Sequence, residues 1–153
     1  FFDVNMKMFA FQGRAFGKEE PRYITIKLQE NKRRIFGLDK LDINNKVYVV
    51  EGPIDSLFLP NCIAVAGADM KLELKNAVYI FDNEPRNKQI VDKIQQLIFL
   101  NKKVCIFPKS LKFKDINDMI IGGMTQAEIL DIIDSNTFSK LSAQQQLNNY
   151  KEV

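Results

Sequence analysis

Glu51 follows four apolar residues in VYVVEGPID, Asp82 follows four more in VYIFDNE with Glu84 two positions on, and Asp115 and Asp118 close the spacing in KDIND. A carboxylate placed directly after an apolar run costs solvation, so its position calls for a partner or a task. Gathering such charges raises at least one carboxyl pKa and strains the fold unless a cation offsets the repulsion. Oxygen donors without His or Cys beside them suit Mg²⁺ or Mn²⁺, which prefer carboxylates, waters and substrate phosphates. The competing explanation is helix capping, which fits Asp55 and Asp115 taken singly. Acids at the ends of two apolar runs and just after another favour the metal site.

The chain of 153 residues has no histidine, which excludes imidazole general-base chemistry and a Ser-His-Asp triad. Hydrolytic or transfer chemistry therefore rests on carboxylates, lysines, hydroxyls or a metal. Cys62 and Cys105 each sit in an apolar run and read as buried, reduced thiols. The charge is unevenly placed: residues 1–46 hold ten Lys/Arg against six Asp/Glu, and residues 47–153 hold twelve against thirteen. In the first third, basic residues alternate with aromatics and glycine, as in FQGRAFGKEEPRYITIKLQENKRRIFGL, a pattern that can follow a phosphate backbone or simply form a solvated face.

The elements that must carry these residues come in two styles. Up to about residue 46, MFAFQ and RYITIKL alternate at period two, as short strands do. Beyond that, VYVVE (47–51), IAVAG (63–67), VYIFD (78–82) and VCIF (104–107) read as strands covered on both faces. Ile90, Ile94, Leu97 and Ile98 recur at helical spacing between the last two. This is an α/β pattern around a parallel sheet, in which ligands collect beyond the carboxyl ends of the strands. Glu51 and Asp82 fall at those ends, and in an extended segment Glu84 projects to the same side as Asp82. Thr125 and Glu128 form a capping box ahead of Ile129, Leu130, Ile132 and Ile133, and the tail SAQQQLNNYKEV reads as polar and peripheral. No apolar run reaches the roughly 18 residues of a membrane span. The chain opens at Phe1 in mid-alternation, which suggests a piece of a longer protein.

VYVVEGPIDSLFL, VYIFDNE and KDIND, in that order, resemble the topoisomerase-primase domain, Toprim, with its Glu-Gly after one strand, Asp-x-Asp/Glu after another and a later acidic motif. The basic stretch upstream resembles the subdomain that precedes Toprim in bacterial and phage replicative primases, so the likeness covers roughly residues 9 to 122. It implies a Toprim fold with a central, mostly parallel four-stranded sheet and flanking helices, preceded by a small basic β-rich subdomain. The expected division is 1–46 for the basic subdomain, 47–122 for the catalytic domain and 123–153 for a C-terminal helix and tail.

The function implied is DNA primase activity: synthesis of short RNA primers on single-stranded DNA by metal-dependent nucleotidyl transfer. Glu51 would act in acid-base chemistry or help hold Mg²⁺ or Mn²⁺, Asp82 and Glu84 would form the metal pair, and Asp115 would support them. Asp55 would be a ligand or a cap, with Asn117 and Asp118 as further support. Arg14 matches the Gly-Arg element, and Arg22, Lys32, Arg33 and Arg34 are candidate phosphate contacts, with Phe11, Phe16 or Tyr23 either stacking bases or packing in a core. Glu84 replaces a shorter Asp, and Asn117 offers only a neutral oxygen where bacterial primases carry a third Asp-x-Asp. The implied partners are template, ribonucleoside triphosphates, a replicative helicase and a zinc-binding module that Cys62 and Cys105 cannot supply. The implied location is the cytoplasm of a bacterium or phage-infected host. A Toprim nuclease and a catalytically silent single-strand-binding module remain as alternatives; a topoisomerase would need a tyrosine nucleophile presented from another domain, since Tyr48 and Tyr79 fall in strands predicted to be buried.

Overall fold

Four of the apolar runs pair side by side in a computed structural model of the chain, which describes residues 1–18, 20, 21, 23–65 and 74–153. Strands β3 (Val47–Val50), β4 (Cys62–Ala64), β5 (Ala77–Ile80) and β6 (Lys103–Cys105) run parallel, as expected. A fifth, β7 (Thr137–Phe138), adds antiparallel to β6, giving the order β4-β3-β5-β6-β7. Two residues carry no readable period, which is why the sequence suggested four strands rather than five. Two further strands, β1 (Ala10–Arg14) and β2 (Tyr23–Lys27), form a separate antiparallel ribbon.

The central strands β3 and β5 are apolar and buried at every position because both sheet faces are covered. Val47, Val49 and Tyr79 point to one face, where they meet α2 (Lys88–Phe99) and α5 (Lys140–Tyr150). Tyr48, Val50, Val78 and Ile80 point to the other, against α3 (Ile116–Ile121) and α4 (Gln126–Ser135). The Thr125–Glu128 capping box forms as expected, and Asn87 caps α2 by accepting the Gln89 N–H. Cys105 is buried and Cys62 half-buried, both free thiols. Burial pushes the Cys62 thiol up to about 12 and raises Cys105 as well, so neither is primed for reaction.

The C-terminal tail departs from expectation. Ala143, Leu147 and Tyr150, spaced four and three apart, line one face of α5 and are buried in the α2 side of the core. Gln144 exchanges amide hydrogen bonds with Gln95 of α2. A stripe of three residues in an otherwise polar segment is too thin to raise the average hydropathy, yet it is enough to dock a helix.

The ribbon is fixed to the sheet by the segment after it. Phe36 and Ala64 exchange both backbone hydrogen bonds at the edge of β4, at 2.8 and 3.0 Å. Gly37, at φ 88°, turns the chain there, and a Cβ on it would press against the Cys62 carbonyl at 2.8 Å. Phe1, Phe9, Ala10 and Phe36 make a small core at this joint. Among the described residues no helix is long and apolar enough to cross a membrane.

Candidate active-site cleft

The parallel register pairs Val49 with Tyr79, so β3 and β5 release Glu51 and Asp82 as neighbours at the same end of the sheet. Between them runs Gly52, followed by the short helix α1 (Pro53–Ser56). A Cβ on Gly52 would collide with the Asp55 carboxylate, which folds back over that backbone. Glycine is what lets both acids of Glu-Gly-x-x-Asp face one place. Asp55 then accepts the Asn117 N–H at 2.9 Å, while Asp115 accepts the Asp118 N–H at 2.8 Å as N-cap of α3. The capping explanation holds for Asp115; Asp55 is not an N-cap but lies inside α1, whose N-cap is Gly52, and accepts one N–H of the first turn of α3 from outside that helix.

Asp82 and Glu84 meet through a lysine. The Lys114 ammonium lies 2.9 Å from Glu84 Oε1 and 3.6 Å from Asp82 Oδ2. They do not lie on an extended strand: the Glu84 N–H donates to the Asp82 carbonyl at 2.9 Å, a tight three-residue turn. Asn83, between them, faces away and holds the neighbouring loop, its amide donating to the carbonyls of Leu111 and Phe113. Glu51 is drawn the other way, 2.6 Å from the Lys93 ammonium on α2. Among the described residues no three Asp, Glu or Cys side chains converge as a metal cage. The structure thus brings Asp82 and Glu84 to one cation, and sets Glu51, Asp55, Asp115 and Asp118 around them without closing on it.

The electrostatics separate the pair. Burial first, and then the Glu51 charge, push the Asp82 carboxyl up to about 6. The Lys114 ammonium and the Asn87 amide hold Glu84 below the usual carboxylate range. Glu84 in turn raises Lys114, and burial raises Asp55 despite its backbone hydrogen bond.

Glu51, Asp55, Asp82, Asp115, Asn117 and Asp118 line one wall of a cleft of about 1180 Å³, and the ribbon forms the opposite wall. The β1–β2 register puts Gln12, Arg14, Tyr23 and Thr25 on a common face, and all four line that wall. The Arg14 guanidinium lies 5.6 Å from the Tyr23 ring centroid. Phe11 and Tyr23 are exposed and Phe16 is fully so, which removes core packing as their explanation. Arg34 joins the same wall. Lys32 does not: its ammonium is paired with Asp3 and sits over the Phe9 ring. Arg33 is exposed away from the cleft lining, and Arg22 lies outside the described residues. Glu84 lines a second cavity of about 770 Å³, with Arg86 and Lys112.

Three residues of the site escaped the sequence reading. Lys93 and Lys114 are the partners of the acids, and the one signal available was the lysine adjoining Asp115 in KDIND. Tyr150, at the end of α5, lines that second cavity beside Glu84, and the Glu152 N–H just beyond it donates to the Pro85 carbonyl at 2.9 Å, so the tail read as peripheral braces the segment after the acidic turn.

No family model matches the chain. It is 36% identical to a DNA primase of Enterobacteria phage T4 over 159 aligned residues, covering 99% of this chain and 46% of that protein. A DNA primase domain from Pseudomonas aeruginosa superposes with a TM-score of 0.66 at 18% identity, covering 89% of this chain and 49% of the other. The E. coli primase catalytic core gives 0.66 at 18% identity, over 97% and 53%. A further DnaG catalytic core gives 0.64 at 16%, over 88% and 50%. The chain spans about half the length of each. Along nearly all of its own length, then, the chain is similar to part of a phage DNA primase, and its fold is that of the DnaG catalytic core, a Toprim fold.

Proposed function

We propose that the chain is the catalytic core of a DNA primase, joining ribonucleotides into short primers on single-stranded DNA. The observation that carries this reading is the cleft itself: Asp82 and the lysine it shares with Glu84 on one wall, and Arg14, Arg34 and exposed aromatics on the wall opposite. In this reading residues 1–46 hold the template, 47–122 carry the chemistry and 123–153 complete the core behind it.

Asp82 and Glu84 fit Mg²⁺ or Mn²⁺, since both already face one positive charge and this hard cation is commonly held by one or two carboxylates plus waters and substrate phosphates. When bound, the cation would supply neutralisation of the nucleotide's triphosphate. The chain's own residues supply the rest. Glu51, beside Asp82 and only a quarter exposed, accepts the proton of the primer 3′-hydroxyl as that oxygen attacks the α-phosphate and pyrophosphate leaves. Arg14 and Arg34 bind template phosphates, and Phe11, Phe16 and Tyr23 offer faces on which unpaired bases stack. Template selection and helicase coupling fall to a zinc-binding module and a replicative helicase, in the cytoplasm.

Incorporation of labelled ribonucleotides on single-stranded DNA tests the reading. The parent should yield short oligoribonucleotides and Asp82→Asn none. Degradation of the DNA in place of synthesis would favour the nuclease instead.

A further inference from the structure

We infer that Lys114 is the resident counter-ion of the Asp82–Glu84 pair, that a divalent cation must displace it to bind, and that its ammonium then turns to the phosphates of the incoming nucleotide. This rests on reading that pair as the metal site and assigns a role to the lysine that opens KDIND.

The geometry is that of one cation shared by two carboxylates, at 2.9 and 3.6 Å. The root of the side chain is fixed. Asn83 donates its N–H to the Lys114 carbonyl at 2.6 Å and its amide to the Phe113 carbonyl at 3.0 Å, and Asp115 next along is locked as the cap of α3. The tip is free to move: the side chain is 52% exposed and lines the cleft that the nucleotide would enter. A long stem on an anchored root can exchange carboxylates for phosphates without moving the backbone.

The electrostatic consequence is direct. Without metal, Lys114 cancels repulsion between two carboxylates that would otherwise oppose each other across a tight turn. With metal, an ammonium at those oxygens repels a doubly charged ion competing for them. The released ammonium then faces a wall of the cleft where a polyphosphate would bring excess negative charge. Lys93 gives the contrast. Among the described residues it pairs with Glu51, from α2, and is not part of the lining of this cleft.

Calorimetric titration of Mn²⁺ into the parent, Lys114→Met, Lys114→Gln and Asp82→Asn tests the inference, followed by tripolyphosphate titration at saturating Mn²⁺. Both Lys114 variants should bind Mn²⁺ about tenfold tighter than the parent, the scale of one unit charge removed from a partly exposed site. Both should bind tripolyphosphate less tightly. Equal or weaker Mn²⁺ binding by both variants overturns displacement, and unchanged tripolyphosphate affinity overturns the transfer to phosphate. Asp82→Asn separates the two levels: if it binds Mn²⁺ like the parent, the metal reading itself fails whatever the Lys114 variants do.

Discussion

Asp82 carries a stability cost that its neighbours do not remove. Burial and the Glu51 charge raise its carboxyl to about 6 from an ordinary value of 3.8, so the folded protein holds this proton more tightly than the unfolded chain. Below the ordinary value both states are protonated and the group is neutral to stability. As the pH rises through that value toward 6 the unfolded state ionises first, and above 6 the full cost is present. Asp82→Asn should therefore stabilise the metal-free protein by on the order of 1–3 kcal/mol at pH 8 and by almost nothing at pH 3.5, measured by urea unfolding. Glu84 has the opposite sign. Lys114 and Asn87 lower its carboxyl, so its contribution is present above the ordinary carboxylate pKa and lost as pH falls through the depressed one. The acids were legible in the sequence because a carboxylate ending an apolar run stands out against its surroundings. Their lysines were not, since Lys93 lies 42 residues from Glu51 and only the packing of α2 brings it near.

At the scale of elements, legibility followed burial. Strands covered on both faces are continuous apolar runs, and β3, β4, β5 and β6 could be read as such; α2 announced itself by its apolar spacing and α4 by its capping box. The extended geometry assumed for Asp82–Glu84 gave way to a turn, because a strand's period says nothing about where the strand stops. β7 and α5 were missed for a related reason: a pair of residues, or three apolar positions among glutamines and asparagines, leave little periodic signal. Leu147 is fully buried in α5 against the α2 side of the core. Leu147→Ala should cost about 2–5 kcal/mol in urea unfolding, the range for truncating a buried leucine. A peripheral tail would lose almost nothing. Because the end of the same helix braces the segment after Glu84, through the Glu152 N–H on the Pro85 carbonyl, the same variant should also weaken Mn²⁺ binding.

For the whole molecule, the functional unit is the space between ribbon and sheet. The Phe36–Ala64 bridge and the small aromatic core fix that space, and neither motif predicted it alone. The cleft also sorts the basic residues that composition had lumped together. Arg14 and Arg34 line it, whereas Lys32 is engaged by Asp3. Arg14→Ala and Arg34→Ala should each weaken single-stranded DNA binding and reduce the salt slope by roughly 0.7–1 for every phosphate left without its arginine, while Lys32→Ala leaves both near the parent. Fluorescence anisotropy across a salt series would check this.

The central claim is that Asp82 and Glu84 anchor the cation while Glu51 handles the proton. Titrating Mn²⁺ into the parent, Asp82→Asn, Glu84→Gln and Glu51→Gln by calorimetry tests it most directly. Loss of affinity in the first two variants, with Glu51→Gln close to the parent and its ribonucleotide incorporation slowed by about 10²–10⁴, is the predicted result. Parent-like Mn²⁺ binding by Asp82→Asn and Glu84→Gln would contradict it.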